Sequence, residues 1–331
     1  MIKLLFISAL LFFQIHVSAT VEKETSKIEV IQQLAQGGDA EAQFNLGVRY
    51  DRGEGVLKDF KEAAKWFKLS AEQGYAKAQF SLGGMYYSGQ GVLKDFKEAA
   101  KWYRLAAEQG YAKAQFSLGG MYYSGQGVLK DFKEAAKWFK LSAEQGDAAA
   151  QMALGMIYEG GDGVLKDSKE ATKLYKLSAE QGLVEAQFRL GAMYYSGQGV
   201  LKDFKEAAKW YRLAAEQGVA EAQLYLGIMY YSGQGVLKDF KEAAKWYRLA
   251  AEQGKAAAQL LLGFMYYSGE GVPQSFISSY SWANISRYNS NGADTKSLFD
   301  FLENEMSMDD VSKAQALSKR CLESNYKNCG S

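Results

Sequence analysis

Apolar residues recur at every fourth position between Ala76 and Tyr87, where Ala78, Leu82 and Tyr86 line up. Positions i, i+4 and i+8 share one face of an α-helix, so this spacing predicts a helix with an apolar stripe. Gly83 lies beside the stripe, although glycine weakens a helix interior. We therefore expect a neighbouring backbone to come close to Gly83, where a side chain would be in the way.

A second helix is predicted between Asp95 and Gly110. Asp95 and Glu98 have the spacing of a capping box, in which each side chain bonds to a free backbone N–H at the helix start. Gly110 suits the left-handed residue that commonly ends a helix. The inward face is apolar and consists of Phe96, Ala99, Ala100, Tyr103 and Ala107, whereas the outward face carries Lys97, Lys101, Arg104 and Glu108. No stretch alternates between apolar and polar residues at period two, so no β-sheet is expected.

This two-helix pattern returns every 36 residues. The tetrapeptide Ala-Glu-Gln-Gly ends at Gly74, Gly110, Gly146, Gly182, Gly218 and Gly254, and Gly38 closes a variant of it. Self-similarity at this period is typical of stacked units whose apolar faces are covered only by their neighbours. The sequence therefore predicts an all-α array of seven helix pairs over residues 37–288.

The loop between the two helices, Gly89-Gln-Gly-Val-Leu-Lys94, invites comparison with a phosphate-binding loop. Such a loop follows a strand and reads G-x-x-x-x-G-K-[ST], with a hydroxyl after the lysine. Here the loop follows a predicted helix, and Asp95, whose carboxylate would repel phosphate, comes after Lys94. We therefore reject a nucleotide site and interpret the glycines as the turn between two antiparallel helices.

Two aromatic columns run through the repeats. Tryptophan occupies one position of the second helix, interrupted only by Leu174, at Trp66, Trp102, Trp138, Trp210, Trp246 and Trp282. Because large flat side chains dominate buried contact area, we interpret this column as packing between repeats and not as a cofactor box. A tyrosine column on the first helix either packs between repeats, which we favour, or edges a groove: Tyr87, Tyr123, Tyr195, Tyr231 and Tyr267.

The fourth repeat, Asp147 to Gly182, departs most from the others. It contains Gly160-Gly161, Ser168 in place of phenylalanine, and Leu174 in place of tryptophan. Smaller side chains at packing positions predict weaker packing, and we hypothesise a point of flexure in this repeat.

Both ends of the array are predicted to carry capping helices, because the terminal units of a repeat array must cover an open apolar face. Residues 20–36 contain an amphipathic helix from Glu24 to Gln36. Residues 289–331 contain two more helices, from Asp294 to Met306 and from Asp309 to Leu322. Cys321, at the end of the second of these helices, and Cys329 form a short disulfide loop if the chain is exported, or remain as two free thiols.

The first 19 residues resemble a secretory signal, with Lys3, the apolar run Leu4 to Phe13, and Val17-Ser18-Ala19 before a cleavage site. An uncleaved membrane anchor is the alternative, but the run is short of the roughly 20 apolar residues that a span needs. We expect cleavage after Ala19, a periplasmic or secreted location, and no membrane insertion of the mature chain.

Charge gives no indication of a nucleic-acid partner. Without the signal segment the chain has 38 basic and 38 acidic residues and no histidine, since His16 is removed. A balanced chain has no bulk attraction to nucleic acid or to an anionic membrane. We expect neither as a partner.

The motifs A-x-A-Q-x-x-L-G-x-x-Y, G-x-G-V, D-x-x-x-A-x-x-W-[YF] and A-x-x-G together resemble the Sel-one-like repeat family, a branch of the tetratricopeptide-type solenoids. The resemblance covers about residues 37–288 as seven units. It implies a right-handed superhelix of helix pairs that serves as an adaptor or scaffold for other proteins, with no common set of catalytic residues and no cofactor.

Four first-helix positions change between repeats and are spaced like one helix face. Glu41, Asn45, Val48 and Arg52 become Glu185, Arg189, Ala192 and Ser196, and then Glu221, Tyr225, Ile228 and Ser232. In the resembling solenoids the first helices line the concave side, so this resemblance makes the changing face the candidate surface for a protein or peptide partner. Its predicted residues are Arg189, Ala192, Tyr225, Ile228, Leu261 and Phe264. The alternative for Leu261 and Phe264 is that they only pack against the C-terminal cap.

Two other functions stay open at this point. The resemblance to some cysteine-rich exported members of the family implies, as a second hypothesis, that the chain is a hydrolase acting on cell-wall or β-lactam substrates. The mature chain lacks the histidine needed for a Ser-His-Asp site, a Cys-His site or a histidine-bound zinc, and it lacks those relatives' cysteine pair in each repeat. A purely structural role is the third hypothesis, in which the changing face binds another copy of the chain.

Overall fold

The computed structural model describes residues 28–290, 295–326 and 329. All regular secondary structure in these ranges is α-helical. The chain divides into two compact units, Met1–Lys166 and Asp167–Ser331. The division falls within the fourth repeat, the repeat for which the sequence predicts the weakest packing; the flexure itself stays a prediction. The proposed signal segment, residues 1–19, lies outside the described residues.

The first unit is built from consecutive helices that pack against one another in pairs. Its helices are α1 (28–36), α2 (Ala40–Arg52), α3 (Phe60–Glu72), α4 (Ala76–Ser88), α5 (Phe96–Glu108), α6 (Ala112–Ser124), α7 (Phe132–Glu144) and α8 (Ala148–Gly160). The pairs α2 with α3, α4 with α5 and α6 with α7 are each the helices of one repeat. This arrangement confirms the helix pair predicted for each 36-residue unit.

The second unit continues the pattern and ends in two further helices. It contains α9 (Ser168–Glu180), α10 (Val184–Ser196), α11 (Phe204–Glu216), α12 (Ala220–Ser232), α13 (Phe240–Ala251), α14 (Ala256–Ser268), α15 (Phe276–Asn289), α16 (Lys296–Glu305) and α17 (Met308–Glu323). Both α16 and α17 contact α15, the last helix of the array. The second helices of the repeats are the odd-numbered ones from α3 to α15, and the first helices are the even-numbered ones from α2 to α14.

In six of the seven repeats aspartate caps the start of the second helix, whereas Ser275 takes this place in the last, and glycine ends the first helix. Asp95 Oδ1 accepts hydrogen bonds from the backbone N–H groups of Lys97 at 2.8 Å and Glu98 at 3.1 Å. The Glu98 carboxylate pairs with Lys101 at 3.4 Å, so only the aspartate half of the predicted capping box is made. The first helix ends at Gly89, which has φ of 79° and whose N–H bonds to the Met85 carbonyl. The Gly-x-Gly loop is therefore a turn whose following acid is already used as a helix cap.

In five repeats the glycine inside the first helix faces an aromatic ring, whereas Gly263 faces Leu298 of α16. A Cβ atom at Gly83 would lie 2.7 Å from Tyr103 Cδ1 and 3.3 Å from the carbonyl oxygen of Ala99. The neighbour that comes closest is therefore the ring of the second helix of the same repeat, with its backbone slightly farther away. The expected close approach of a neighbouring backbone is confirmed, but the spacing alone did not show that the Tyr103 ring is the nearer neighbour.

Buried glutamines connect consecutive repeats, a feature that the sequence analysis missed. Gln79 Nε2 donates to the carbonyl of Ala71 in the preceding repeat at 3.1 Å. Its Oε1 accepts from Gln109 Nε2 at 2.7 Å. Similar pairs recur in both units, for example between Gln223, Ala215 and Gln253. A buried amide with both groups bonded avoids the desolvation cost of an unpaired polar atom, so these residues fix the stacking register.

The tryptophan column packs between repeats, as predicted. Trp102 is 8% exposed and packs in one apolar cluster with Ala71 of the first repeat and Leu82 of the second. Trp282 at the end of the column is completely buried. Trp66 at the other end is half-buried, because only α1 and α2 cover it.

Both ends of the array are covered by helices. At the N-terminal end, Ala35 of α1 forms a cluster with Ala42 and Leu46 of α2. Of the predicted cap over residues 20–36, the structure describes 28–36. At the C-terminal end, Leu298 and Leu302 of α16 pack on Ala283. Cys321 and Cys329 form the predicted disulfide, with Cα atoms 4.4 Å apart.

Candidate partner-binding face

The six residues predicted to contact a partner lie on α10, α12 and α14, two on each helix. All six are half-buried, so part of each side chain remains open to solvent. The predicted set is Arg189, Ala192, Tyr225, Ile228, Leu261 and Phe264. We call the surface made by these positions and their equivalents in the other first helices the first-helix face.

Arg189 is held in place by neighbours within its own unit. Its Nε lies 3.2 Å from Glu185 Oε1, one turn earlier on α10. Its guanidinium lies 6.0 Å from the centre of the Tyr175 ring on α9. Arg189 therefore presents an oriented positive charge at the start of the face in the second unit.

Tyr225 forms a nearly parallel ring stack on the first-helix face. Its ring stacks on that of Tyr211 with centroids 5.3 Å apart and an interplanar angle of 9°. The Tyr195 ring lies 6.0 Å away. Tyr225 thus covers the buried second-helix tyrosine of its neighbour and leaves no opening above it.

In two other repeats the equivalent second-helix tyrosine forms the floor of an open pocket. The Tyr103 pocket has a volume of about 310 Å³ and is lined by Tyr87, Tyr103, Ser117, Gly120, Ser124 and Gln126. The Tyr247 pocket has a volume of about 230 Å³ and is lined by Tyr231, Tyr247, Leu261, Phe264, Tyr267 and Glu270. The floor residues are 6% and 2% exposed, yet neither hydroxyl has a hydrogen-bond partner among the described residues. Each pocket therefore has a phenol hydroxyl at its floor that is available to a ligand.

Leu261 and Phe264 have different surroundings. Phe264 packs on the cluster of Ala283, Leu298 and Leu302, so it contacts the C-terminal cap as well as the pocket. Leu261 packs on the cluster that contains Tyr247 and Leu262. These two residues form one wall of the Tyr247 pocket. In the Tyr103 pocket the equivalent positions are the smaller Ser117 and Gly120, so that side is more open.

The tyrosine column serves both of the roles considered for it. Tyr87 packs edge-on against Phe96 with ring centroids 5.1 Å apart, and its hydroxyl bonds to Gln126 Oε1 of the next repeat at 2.8 Å. It also remains 39% exposed and lines the Tyr103 pocket. Tyr87 therefore connects two repeats and also lines an open pocket, and the hydroxyls of Tyr195 and Tyr231 make the equivalent bond to the next repeat.

The loop leucines form a separate apolar feature. They precede the Lys-Asp that starts each second helix, and they are 90% to 91% exposed: Leu57, Leu93, Leu129, Leu165, Leu201 and Leu237. They lie on the loops within each helix pair and not on the first-helix face. This repeated yet exposed position was not recognised in the sequence.

Burial changes the acidity of the pocket floors. Desolvation, and secondarily the neighbouring Tyr87 phenol, raises the pKa of Tyr103 to about 12. Burial likewise raises the pKa of Tyr247. Both phenols therefore stay neutral and act as hydrogen-bonding groups at any physiological pH.

The raised pKa of Tyr103 predicts a loss of stability at alkaline pH. The unfolded chain, with an ordinary tyrosine pKa of 10.0, releases this proton first, so stability falls as pH rises from 10 towards 12. Phenylalanine occupies the same position in the first and third repeats as Phe67 and Phe139, so Tyr103→Phe is a matched control. Between pH 9 and 11 the natural chain should lose about 1 kcal/mol more than the variant, measured by urea denaturation. Equal losses in the two proteins would contradict a buried neutral phenol.

The described residues contain no group of three or more histidine, cysteine, aspartate or glutamate side chains positioned to hold a metal ion. In the same ranges, no helix combines the length and the apolar character needed to cross a membrane.

Comparison with known proteins identifies the repeat. Seven consecutive segments match the model of the Sel1 repeat, at residues 40–75, 76–111, 112–147, 148–183, 184–219, 220–255 and 256–286. The chain belongs to the Sel1 repeat family. This membership confirms the predicted resemblance and the all-α solenoid of seven helix pairs.

Two solved structures are similar to this Sel1 repeat chain. A Sel1 repeat protein from Oxalobacter formigenes is 33% identical with a TM-score of 0.63, and the match covers 86% of this chain and 82% of that protein. The protein c5321, a protective antigen present in uropathogenic Escherichia coli strains and displaying an SLR fold, is 26% identical with a TM-score of 0.50, over 90% of this chain and 96% of that one. No significant match was found among curated proteins.

Sel1 repeat proteins typically act as protein-interaction scaffolds and are generally not enzymes. Fold membership gives this general role but not the ligand, because recognition depends on the residues that differ between members.

Proposed function

We propose that this chain is a non-enzymatic scaffold that binds an extended segment of a partner protein along the first-helix face. The main support is that the chain changes this face while it repeats the side chains that pack beneath it. Leu190, Leu226 and Leu262 occupy one interior position and are buried in each case. One position earlier, the side chains are arginine, tyrosine and leucine in the same three repeats.

The chemistry of the face suits a protein partner. Tyr225 and Ile228 offer half-buried apolar surface, and aromatic residues are enriched in the core of protein interfaces. The Tyr103 pocket lies among α4, α5 and α6 of the first unit, and the Tyr247 pocket lies among α12, α13 and α14 of the second. Each pocket is suited to one side chain of an extended segment, and solenoids commonly offer long binding surfaces to such segments.

We place this activity in the bacterial cell envelope. The Cys321–Cys329 disulfide persists in an oxidising compartment, as the periplasm and the extracellular space are. The signal segment predicted over residues 1–19 gives a route to that compartment.

Site-specific photo-crosslinking in living cells tests this proposal. A photoreactive phenylalanine analogue is placed at Tyr225 or Ile228 on the first-helix face. Matched controls carry it at Lys209 or Lys245, which are exposed on the second helices α11 and α13. We expect a specific protein adduct from the first pair of positions and none from the second.

The mass of the adduct distinguishes the alternatives. An adduct that contains a second protein supports a scaffold, whereas an adduct of two copies of the mature chain would replace it with self-association. Adducts from Lys209 and Lys245 alone would place recognition on the second helices and contradict the proposed face.

A further inference from the structure

The Tyr247 pocket combines aromatic walls with one acidic side chain. Four rings contribute to it, from Tyr231, Tyr247, Phe264 and Tyr267. Glu270 lies at its edge, on the loop that follows α14. Aromatic rings attract cations through their electron-rich faces, and a group of such rings beside a carboxylate is suited to an alkylammonium ion.

The Glu270 carboxylate is held by hydroxyl groups and not by a basic residue. Its Oε2 accepts from the Tyr231 hydroxyl at 2.8 Å, and the Ser268 hydroxyl lies 3.4 Å away. No ion pair is made between Glu270 and a basic side chain among the described residues. The Lys238 ammonium group lies over aromatic rings, 4.5 Å from the centre of the Phe240 ring and 6.0 Å from that of Tyr231. The negative charge of Glu270 is therefore oriented but not neutralised by a partner within the chain.

An acid occupies this loop position in three repeats, as Glu54, Asp162 and Glu270, but only Glu270 is combined with a tyrosine at the position of Tyr247, which is phenylalanine (Phe139) beside Asp162. The four equivalent positions in the second, third, fifth and sixth repeats are glutamine: Gln90, Gln126, Gln198 and Gln234. In the Tyr103 pocket, Gln126 accepts from Tyr87 as Glu270 does from Tyr231. The geometry is thus kept while a charge is added, and Ser117 and Gly120 are replaced by the larger Leu261 and Phe264. The sequence signal for this site was the combination of an acid at this repeated position with Tyr247 in the preceding repeat.

We propose that the Tyr247 pocket binds a lysine side chain of the partner protein, with its methylene stem against the aromatic walls and its ammonium group at the Glu270 carboxylate. The Tyr247 hydroxyl at the floor has no partner among the described residues and remains available as a hydrogen-bond acceptor for the same ammonium group. This inference rests on the proposed function, because it assigns one contact of the partner on the first-helix face.

Methionine methyl groups provide a direct measurement in both pockets. Met265 lines the Tyr247 pocket and Met121 lines the Tyr103 pocket. The purified chain is labelled with ¹³C at its methionine methyl groups, and the two signals are assigned through Met265→Leu and Met121→Leu. It is then titrated with N-acetyl-lysine-N-methylamide, or with the norleucine analogue, which has the same four-carbon stem but no ammonium group.

We expect the lysine probe to shift the Met265 signal saturably, while the Met121 signal and the norleucine titration show no comparable change. Glu270→Gln should weaken the response at least about fivefold, because it removes the charge. This variant reproduces the residue of four other repeats, so the fold is retained.

A Met265 signal that does not move, moves equally with norleucine, or keeps its full response in Glu270→Gln would overturn the lysine assignment. The crosslinks from Tyr225 and Ile228 do not depend on this pocket. Their presence alongside a failed titration would remove this inference and keep the proposed function, whereas their absence would remove the scaffold proposal itself.

Discussion

Replacing Trp282 by alanine should lower the free energy of unfolding of the second unit by about 3–5 kcal/mol, because it empties a large space in a closed core. Trp282 has no exposed surface and packs in the cluster of Tyr247, Leu262 and Cys321. It thereby joins the last repeat to α17, the helix that carries the first cysteine of the disulfide. Urea denaturation measures the loss, and hydrogen exchange shows whether α14, α15 and α17 open first, since a repeat array need not unfold in one step.

Two variants serve as controls for this prediction. Trp66→Ala removes the same side chain at the half-buried start of the column, and we expect less than half of the effect. Trp282→Phe refills most of the volume and removes an indole N–H that has no hydrogen-bond partner in the described part of the chain, so its loss should also be small. Equal losses for Trp282→Ala and Trp66→Ala would show that burial at the end of the array does not determine the stability of the second unit.

Much of the helical framework could be predicted because it depends on local rules. The stripe of Ala78, Leu82 and Tyr86 and the cap at Asp95 involve residues a few positions apart, and α4 and α5 begin and end close to the predicted positions. Repetition supplied the long-range information as well, since a helix pair that returns seven times must pack on itself.

What could not be predicted depends on how side chains meet across helices. The ring of Tyr103 lies across Gly83, and Gln79 reaches the carbonyl of Ala71, although neither contact follows from helix periodicity. On the candidate face, too, contacts between helices could not be predicted from the sequence. Tyr225 closes the space above Tyr211 by stacking, whereas the space above Tyr247 remains open beside Phe264. Changing positions indicated where to look, and side-chain orientation decided which of them line a pocket.

The central claim is that the repeated first-helix positions hold the fold while the changing positions beside them are free for recognition. Two adjacent glycines of α6 represent these two classes. Gly119 has an equivalent glycine in every repeat, whereas the position of Gly120 becomes Ala192, Ile228 and Phe264 later in the chain. A Cβ atom at Gly119 would lie 2.7 Å from Phe139 Cδ1, but one at Gly120 would have no atom within 4 Å.

The most direct test is to compare Gly119→Ala and Gly120→Ala by urea denaturation under identical conditions. We expect Gly119→Ala to lower the free energy of unfolding by about 1–3 kcal/mol, because the new methyl group displaces a buried ring. Gly120→Ala should raise it by up to about 1 kcal/mol, because alanine favours the helix and meets open space. Equal changes in the two variants, or a larger loss for Gly120→Ala, would contradict the division between packing and recognition positions.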